Sequence, residues 1–141
     1  MRITISLCLL ALLLIMIVSC SSSNQIEIDC EAFFENNHPT GEIVVSVEDE
    51  FLVMLCSYPS TGYQWSENAE IADTEIVKQV AHEFLMPAEL DTPPPPGTPG
   101  VEVWTFNALN TGSTTINFDY SRPWEGGEKS TWTFRLDVAV E

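Results

Sequence analysis

The chain has 141 residues, room for one domain with a single modest core. Twenty-one Asp and Glu against five Lys and Arg give a net charge of −16. Nucleic acid is therefore not expected as a partner, because phosphate backbones are neutralised by lysine and arginine. With two His and four Cys, and no CxxC, HxxxH or HxH spacing to bring ligands onto one face, neither a metal nor a cofactor is expected.

Met1-Arg2, the apolar run Ile3 to Val18 and the small residues around Ser19 have the form of a signal peptide. The run falls short of the about 20 apolar residues that cross a bilayer core, so cleavage is the better reading. Ile17-Val18-Ser19-Cys20 resembles a prokaryotic lipobox. That resemblance implies lipidation of Cys20, export, and attachment to the cell envelope through the lipid, with the membrane leaflet left open; an ordinary secretory signal is the alternative. The chain then divides into a leader (1–19), a lipid-anchored tether and spacer (20–40) and a folded domain (41–141). Loss of Arg2 moves the net charge to −17, leaving Lys78, Arg122, Lys129 and Arg135 as the basic side chains.

Cys8 leaves with the leader, so Cys30 and Cys56 remain as one even pair in an oxidising compartment. Spacing does not show whether two Cα atoms come within bridging range, so a disulfide and two small buried hydrophobes both stay open. Residues 25–40 are irregular, with a short helical turn at Cys30–Glu35.

Beyond them lie seven short runs rich in β-branched and aromatic residues: Ile43 to Val47, Phe51 to Ser57, Tyr63 to Glu67, Val77 to Phe84, Val101 to Leu109, Ser113 to Tyr120 and Ser130 to Val140. Turn residues separate them, and no long stretch has the helical period. Ile116, Phe118 and Tyr120 alternate with Thr115, Asn117 and Asp119, and Trp132, Phe134, Leu136 and Val138 with their polar neighbours, so these strands have one buried face. The pattern predicts an all-β fold, an immunoglobulin-like antiparallel β-sandwich of about seven strands, with Trp65, Trp104 and Trp132 between the sheets. A small barrel is the alternative.

Little supports catalysis. A Cys-His nucleophile needs a thiolate beside an imidazole, and His38 in a loop and His82 in a strand have no such context. Carboxylates are too abundant for any pair to signal acid and base roles. The loops say more. Tyr58-Pro59-Ser60-Thr61-Gly62-Tyr63-Gln64-Trp65 is stiffened by a proline and permitted a positive φ by a glycine. Pro93 to Pro96, then Gly97-Thr98-Pro99-Gly100, make an extended arm. Arg122-Pro123-Trp124-Glu125 sets a large aromatic on a hairpin tip, either folded back on the sheet edge or offered as a binding anchor.

The first of these segments resembles the Asn-Pro-Thr-Thr-Gly-aromatic-x-Trp motif of the chagasin family of cysteine peptidase inhibitors. Arg122-Pro123-Trp124-Glu125 matches that family's Arg-Pro-Trp loop, and Gly97 to Glu102 is similar to its glycine-rich middle loop. Tyr58 stands where the family has Asn, and Pro99 where it has Gly. The resemblance implies a monomeric, non-covalent inhibitor of papain-like cysteine peptidases, with three loops in the cleft: Tyr58 to Tyr63, Gly97 to Gly100 and Arg122 to Glu125. The rival reading is an immunoglobulin-like envelope lipoprotein that binds a glycan or another protein with the same scaffold.

Overall fold

The alternating runs pair into two sheets. A computed structural model describes residues 24–86 and 95–141, so the leader, Cys20 and the prolines Pro93 and Pro94 lie outside the described residues. The elements are β1 (Gln25–Ile28), α1 (Cys30–Glu35), β2 (Thr40–Val45), β3 (Glu50–Ser57), β4 (Gln64–Trp65), β5 (Glu70–Ile71), β6 (Val77–Leu85), β7 (Gly100–Ala108), β8 (Gly112–Ser121) and β9 (Trp132–Val140). One sheet has the order β1-β3-β7-β6, and the other β2-β9-β8-β4 with β5 also on β8.

The fold is the all-β, immunoglobulin-like sandwich that the alternation predicts, with two departures from a seven-stranded antiparallel form. Nine strands are present among the described residues, because Gln25–Ile28 and Glu70–Ile71 also pair. Two edge pairs, β1 on β3 and β2 on β9, are parallel. Strands that meet from distant parts of the chain are free of the hairpin that forces antiparallel pairing. The run read as Tyr63 to Glu67 pairs only at Gln64 and Trp65. Past it the chain turns away, and the Glu67 carbonyl accepts from Trp104 Nε1 at 3.2 Å and Gln79 Nε2 at 2.9 Å.

Inward positions of four strands supply most of the core: Phe51, Val53 and Leu55 of β3, Trp104 and Phe106 of β7, Ile116 and Phe118 of β8, Phe134 and Leu136 of β9. Phe118 joins the layers, with its ring 4.9 Å from Trp104 and 6.1 Å from Phe106 in one sheet and 5.8 Å from Phe134 in its own. Residues 25–36, read from sequence as spacer, are built into this body. Phe33 is fully buried, and Cys30 is disulfide-bonded to Cys56 with the Cα atoms 5.0 Å apart.

Phe118→Ala removes the ring that both sheets share and should lower the free energy of unfolding by about 3–5 kcal/mol. Urea denaturation with an unchanged slope checks this; a loss under about 1 kcal/mol would show that the neighbouring rings close the gap.

Candidate functional site

Strand register brings the three loops to one end of the sandwich. Ser57, the last residue of β3, pairs with Gly100, the first of β7, so the first loop leaves its sheet beside the root of the middle loop. At its far side Gln64 pairs with Ser121, the last residue of β8, where the third loop begins. The first loop thus crosses from one sheet to the other with the other two loops on either flank.

Within it, Pro59–Thr61 form one 3₁₀ turn, entered from Tyr58 and closed by Gly62 at φ +80°. The Tyr58 carbonyl accepts from the Thr61 amide at 3.0 Å and the Thr61 hydroxyl at 2.6 Å, while the Tyr58 amide donates to the Tyr120 hydroxyl at 2.8 Å. Thr61 therefore spends its hydroxyl on the loop itself, and Ser60 is the exposed hydroxyl at the tip.

Arg122 braces the first and third loops together. Its guanidinium lies 4.5 Å above the Tyr63 ring and 5.8 Å from the Trp124 ring, with Nη2 3.5 Å from the Thr61 carbonyl and Nη1 3.4 Å from Glu128. The Arg122–Glu128 pair is largely solvated and contributes little by charge alone; the stacking on Tyr63 fixes the geometry. Tyr63 also donates its hydroxyl to Glu128, and Lys129 Nζ reaches the Trp124 carbonyl at 3.1 Å.

Trp124 is 51% exposed, with its ring edge against the first loop. A Cβ at Gly62 would stand 2.7 Å from Trp124 Cη2, so only glycine both adopts this φ and leaves room for the indole. The two sequence alternatives for Trp124 combine: one edge packs on the neighbouring loop while half the ring stays in solvent. Pro123 and Glu125 are exposed beside it.

In the middle loop the Pro95 carbonyl accepts from the Thr98 amide at 3.1 Å and its hydroxyl at 2.7 Å, with Gly97 exposed at the turn. Pro99 is half-buried, and Gly100 is pressed beneath the Phe84 ring, where a Cβ would also meet the Leu85 carbonyl at 2.8 Å.

Under the roots of the first and middle loops lies a polar chain that the sequence reading did not find. Glu102 accepts from the Ser57 hydroxyl at 2.7 Å and from His82 Nε2 at 2.8 Å, and the imidazole lies 4.7 Å from the Trp104 ring, nearly parallel to it. They line a side cleft of about 390 Å³ with Pro59, Tyr63 and Phe84. Ser57 is buried and donates to the Glu102 carboxylate, while His82 reaches only the other carboxylate oxygen, so the three are not arranged as a serine–histidine nucleophile pair. Among the described residues no group of three or more His, Cys, Asp or Glu side chains is placed to hold a metal. The available signal was Glu102 at an inward position of an otherwise apolar alternation, between Gly100 and Trp104.

Residues 44–138 match the model of a family described as Chagasin family peptidase inhibitor I42. The chain belongs to the chagasin family of peptidase inhibitors. Amoebiasin-2 of Entamoeba histolytica is 32% identical over 97 residues, covering 68% of this chain and 74% of that protein. The crystal structure of the cysteine protease inhibitor EhICP2 from Entamoeba histolytica superposes with a TM-score of 0.58 at 26% identity, over 84% of this chain and 95% of that one. PbICP-C, solved in complex with falcipain-2, superposes with a TM-score of 0.58 at 16% identity, over 84% and 99% of the two chains, and shows the shared fold. In this chagasin-family chain all three loops, and the Ser57–Glu102–His82 chain beneath them, fall inside the matched residues.

Glu102→Ala leaves the Ser57 hydroxyl and the His82 imidazole without their acceptor. It should cost about 1–3 kcal/mol of stability, measured by thermal or urea unfolding, whereas an exposed Glu125→Ala should stay within about 0.5 kcal/mol of the parent.

Proposed function

We propose that this protein is a reversible, non-covalent inhibitor of papain-like cysteine peptidases, one inhibitor per peptidase, which occludes the active-site cleft with its three loops. The observation that carries this reading is the half-exposed Trp124 packed on Gly62, at the end of the sandwich where all three loops emerge. The description of EhICP2 as a cysteine protease inhibitor supports the target class.

The first loop lies across the peptidase's Cys-His pair, and the other two rest on the cleft walls. Its backbone is wound into a 3₁₀ turn held by Thr61 on the Tyr58 carbonyl, so no peptide bond is extended for in-line attack and the loop is not cleaved. Prolines 59 and 123, and the Arg122 brace, remove freedom before binding, which lowers the entropy that association must overcome. Trp124 supplies the apolar anchor. The net charge, −16 for the full chain and −17 once Arg2 leaves with the leader, steers towards basic partners without selecting one. Export and attachment through a lipid on Cys20 complete the reading, and place the inhibitor at the cell envelope.

Titrating the purified protein into an active papain-like peptidase should abolish turnover at a one-to-one ratio, and leave a serine peptidase untouched. Full activity of the cysteine peptidase at micromolar inhibitor would sink the proposal. Trp124→Ala should weaken binding by about 2–4 kcal/mol, and Thr61→Arg by a similar amount through a clash at the tip, with little change in the unfolding midpoint. An equal loss of stability would instead place these side chains in the structural body. Intact-mass analysis of membrane-extracted protein should show a diacylglyceryl group at Cys20; a soluble, unmodified protein beginning elsewhere would overturn the lipid anchor.

A further inference from the structure

Residues 25–36 precede the stretch matched by the chagasin family model, which begins at residue 44. They reach the first loop by two routes. The Cys30–Cys56 disulfide fastens α1 to the end of β3, two residues before Tyr58. Phe34 sets its ring 5.2 Å from Tyr58 and 6.2 Å from Trp132, both edge-on, while Phe33 lies 5.7 Å from Trp132 inside the body. Asp29 caps the helix by accepting the Ala32 amide at 2.8 Å. Six residues of helix do not persist alone in water, so α1 owes its form to these attachments.

The contact falls on the residue that controls the loop tip. Both hydrogen bonds from Thr61 converge on the Tyr58 carbonyl, and the Tyr58 amide is tied to Tyr120. Without the ring contact the Tyr58 side chain is free to change rotamer, and the backbone that carries its carbonyl, at which both Thr61 bonds are aimed, loses one of its restraints. Phe34 itself is 53% exposed, so it gains little from burial, and its principal effect is to restrict Tyr58.

We propose that α1 is a positioning element for the first loop, with Phe34 acting through Tyr58 and held in place by the Cys30–Cys56 disulfide. This rests on the inhibitor reading: it adds a segment that sets the geometry of the loop tip without itself entering the cleft. A first loop without that restraint samples more conformers, and a smaller fraction of encounters succeeds.

Phe34→Ala and Phe34→Tyr test it, with the purified protein held well below its unfolding midpoint. Phe34→Ala should raise the inhibition constant for a papain-like peptidase about three- to tenfold, mainly through slower association. Amide hydrogen exchange should quicken at Thr61 and Gly62, while Phe118 and Leu136 remain as protected as in the parent. Phe34→Tyr, which keeps the edge-on ring, should restore both readouts. Unchanged inhibition and exchange in Phe34→Ala overturn the proposal. So does faster exchange throughout the domain, which would mark α1 as general packing. If the parent protein inhibits no cysteine peptidase, the functional reading falls, and the exchange comparison at Thr61 and Gly62 still decides the positioning role.

Discussion

Two residues of strand pairing, Gln64 and Trp65 against Ser121 and Tyr120, hold the first and third loops side by side. The first loop leaves one sheet at Ser57 and must reach the other within a few residues, and β4 is the point where it lands. Trp65 makes that landing firm: its indole donates to the Cys56 carbonyl at 2.9 Å, across the layers, and packs 4.9 Å from Tyr120. Without this crossing the Arg122 guanidinium would have no Tyr63 ring beneath it, and Trp124 no Gly62 to rest on. The loop end is thus an extension of the core, built from the same aromatic contacts that join the sheets at Phe118.

Much of this was legible in the sequence, for reasons specific to each element. The strands β8 and β9 announced themselves through strict alternation, because each has one face on the core and one in solvent. The three loops were visible as proline and glycine placed where φ must be fixed or positive, and Trp124 stood out because a hairpin tip has no core to receive it. β1 was not visible: four residues of mixed polarity pair as an edge strand only because β3 presents free backbone groups beside them, and that is a tertiary fact. Periodicity likewise cannot distinguish parallel from antiparallel edges, so the pairing of β2 with β9 was hidden.

The polar chain of Ser57, Glu102 and His82 shows a different limit. Glu102 stands out as a carboxylate at an inward position, but its partners Ser57 and His82 sit in strands that read as ordinary, and the meeting of all three depends on the register of three strands. A buried carboxylate persists there because both of its oxygens accept hydrogen bonds, and because it lies where the sandwich opens into a cleft. Satisfied networks of this kind define one arrangement of the strands that carry them. Here those strands root the first and middle loops, so order beneath the surface supports shape at the surface.

The Cys30–Cys56 bond sets chemical terms for where such a domain can work. A peptidase that attacks through a thiolate needs surroundings reducing enough to keep that sulfur free, whereas a structural disulfide persists where oxidants prevail. Cys56 is buried at the end of β3 and Cys30 is only partly accessible, so an attacking thiol meets a shielded bond. Exchange then proceeds at the pace of local opening. Steric shelter of this kind lets a structural disulfide persist even in surroundings reducing enough to keep a catalytic thiol free.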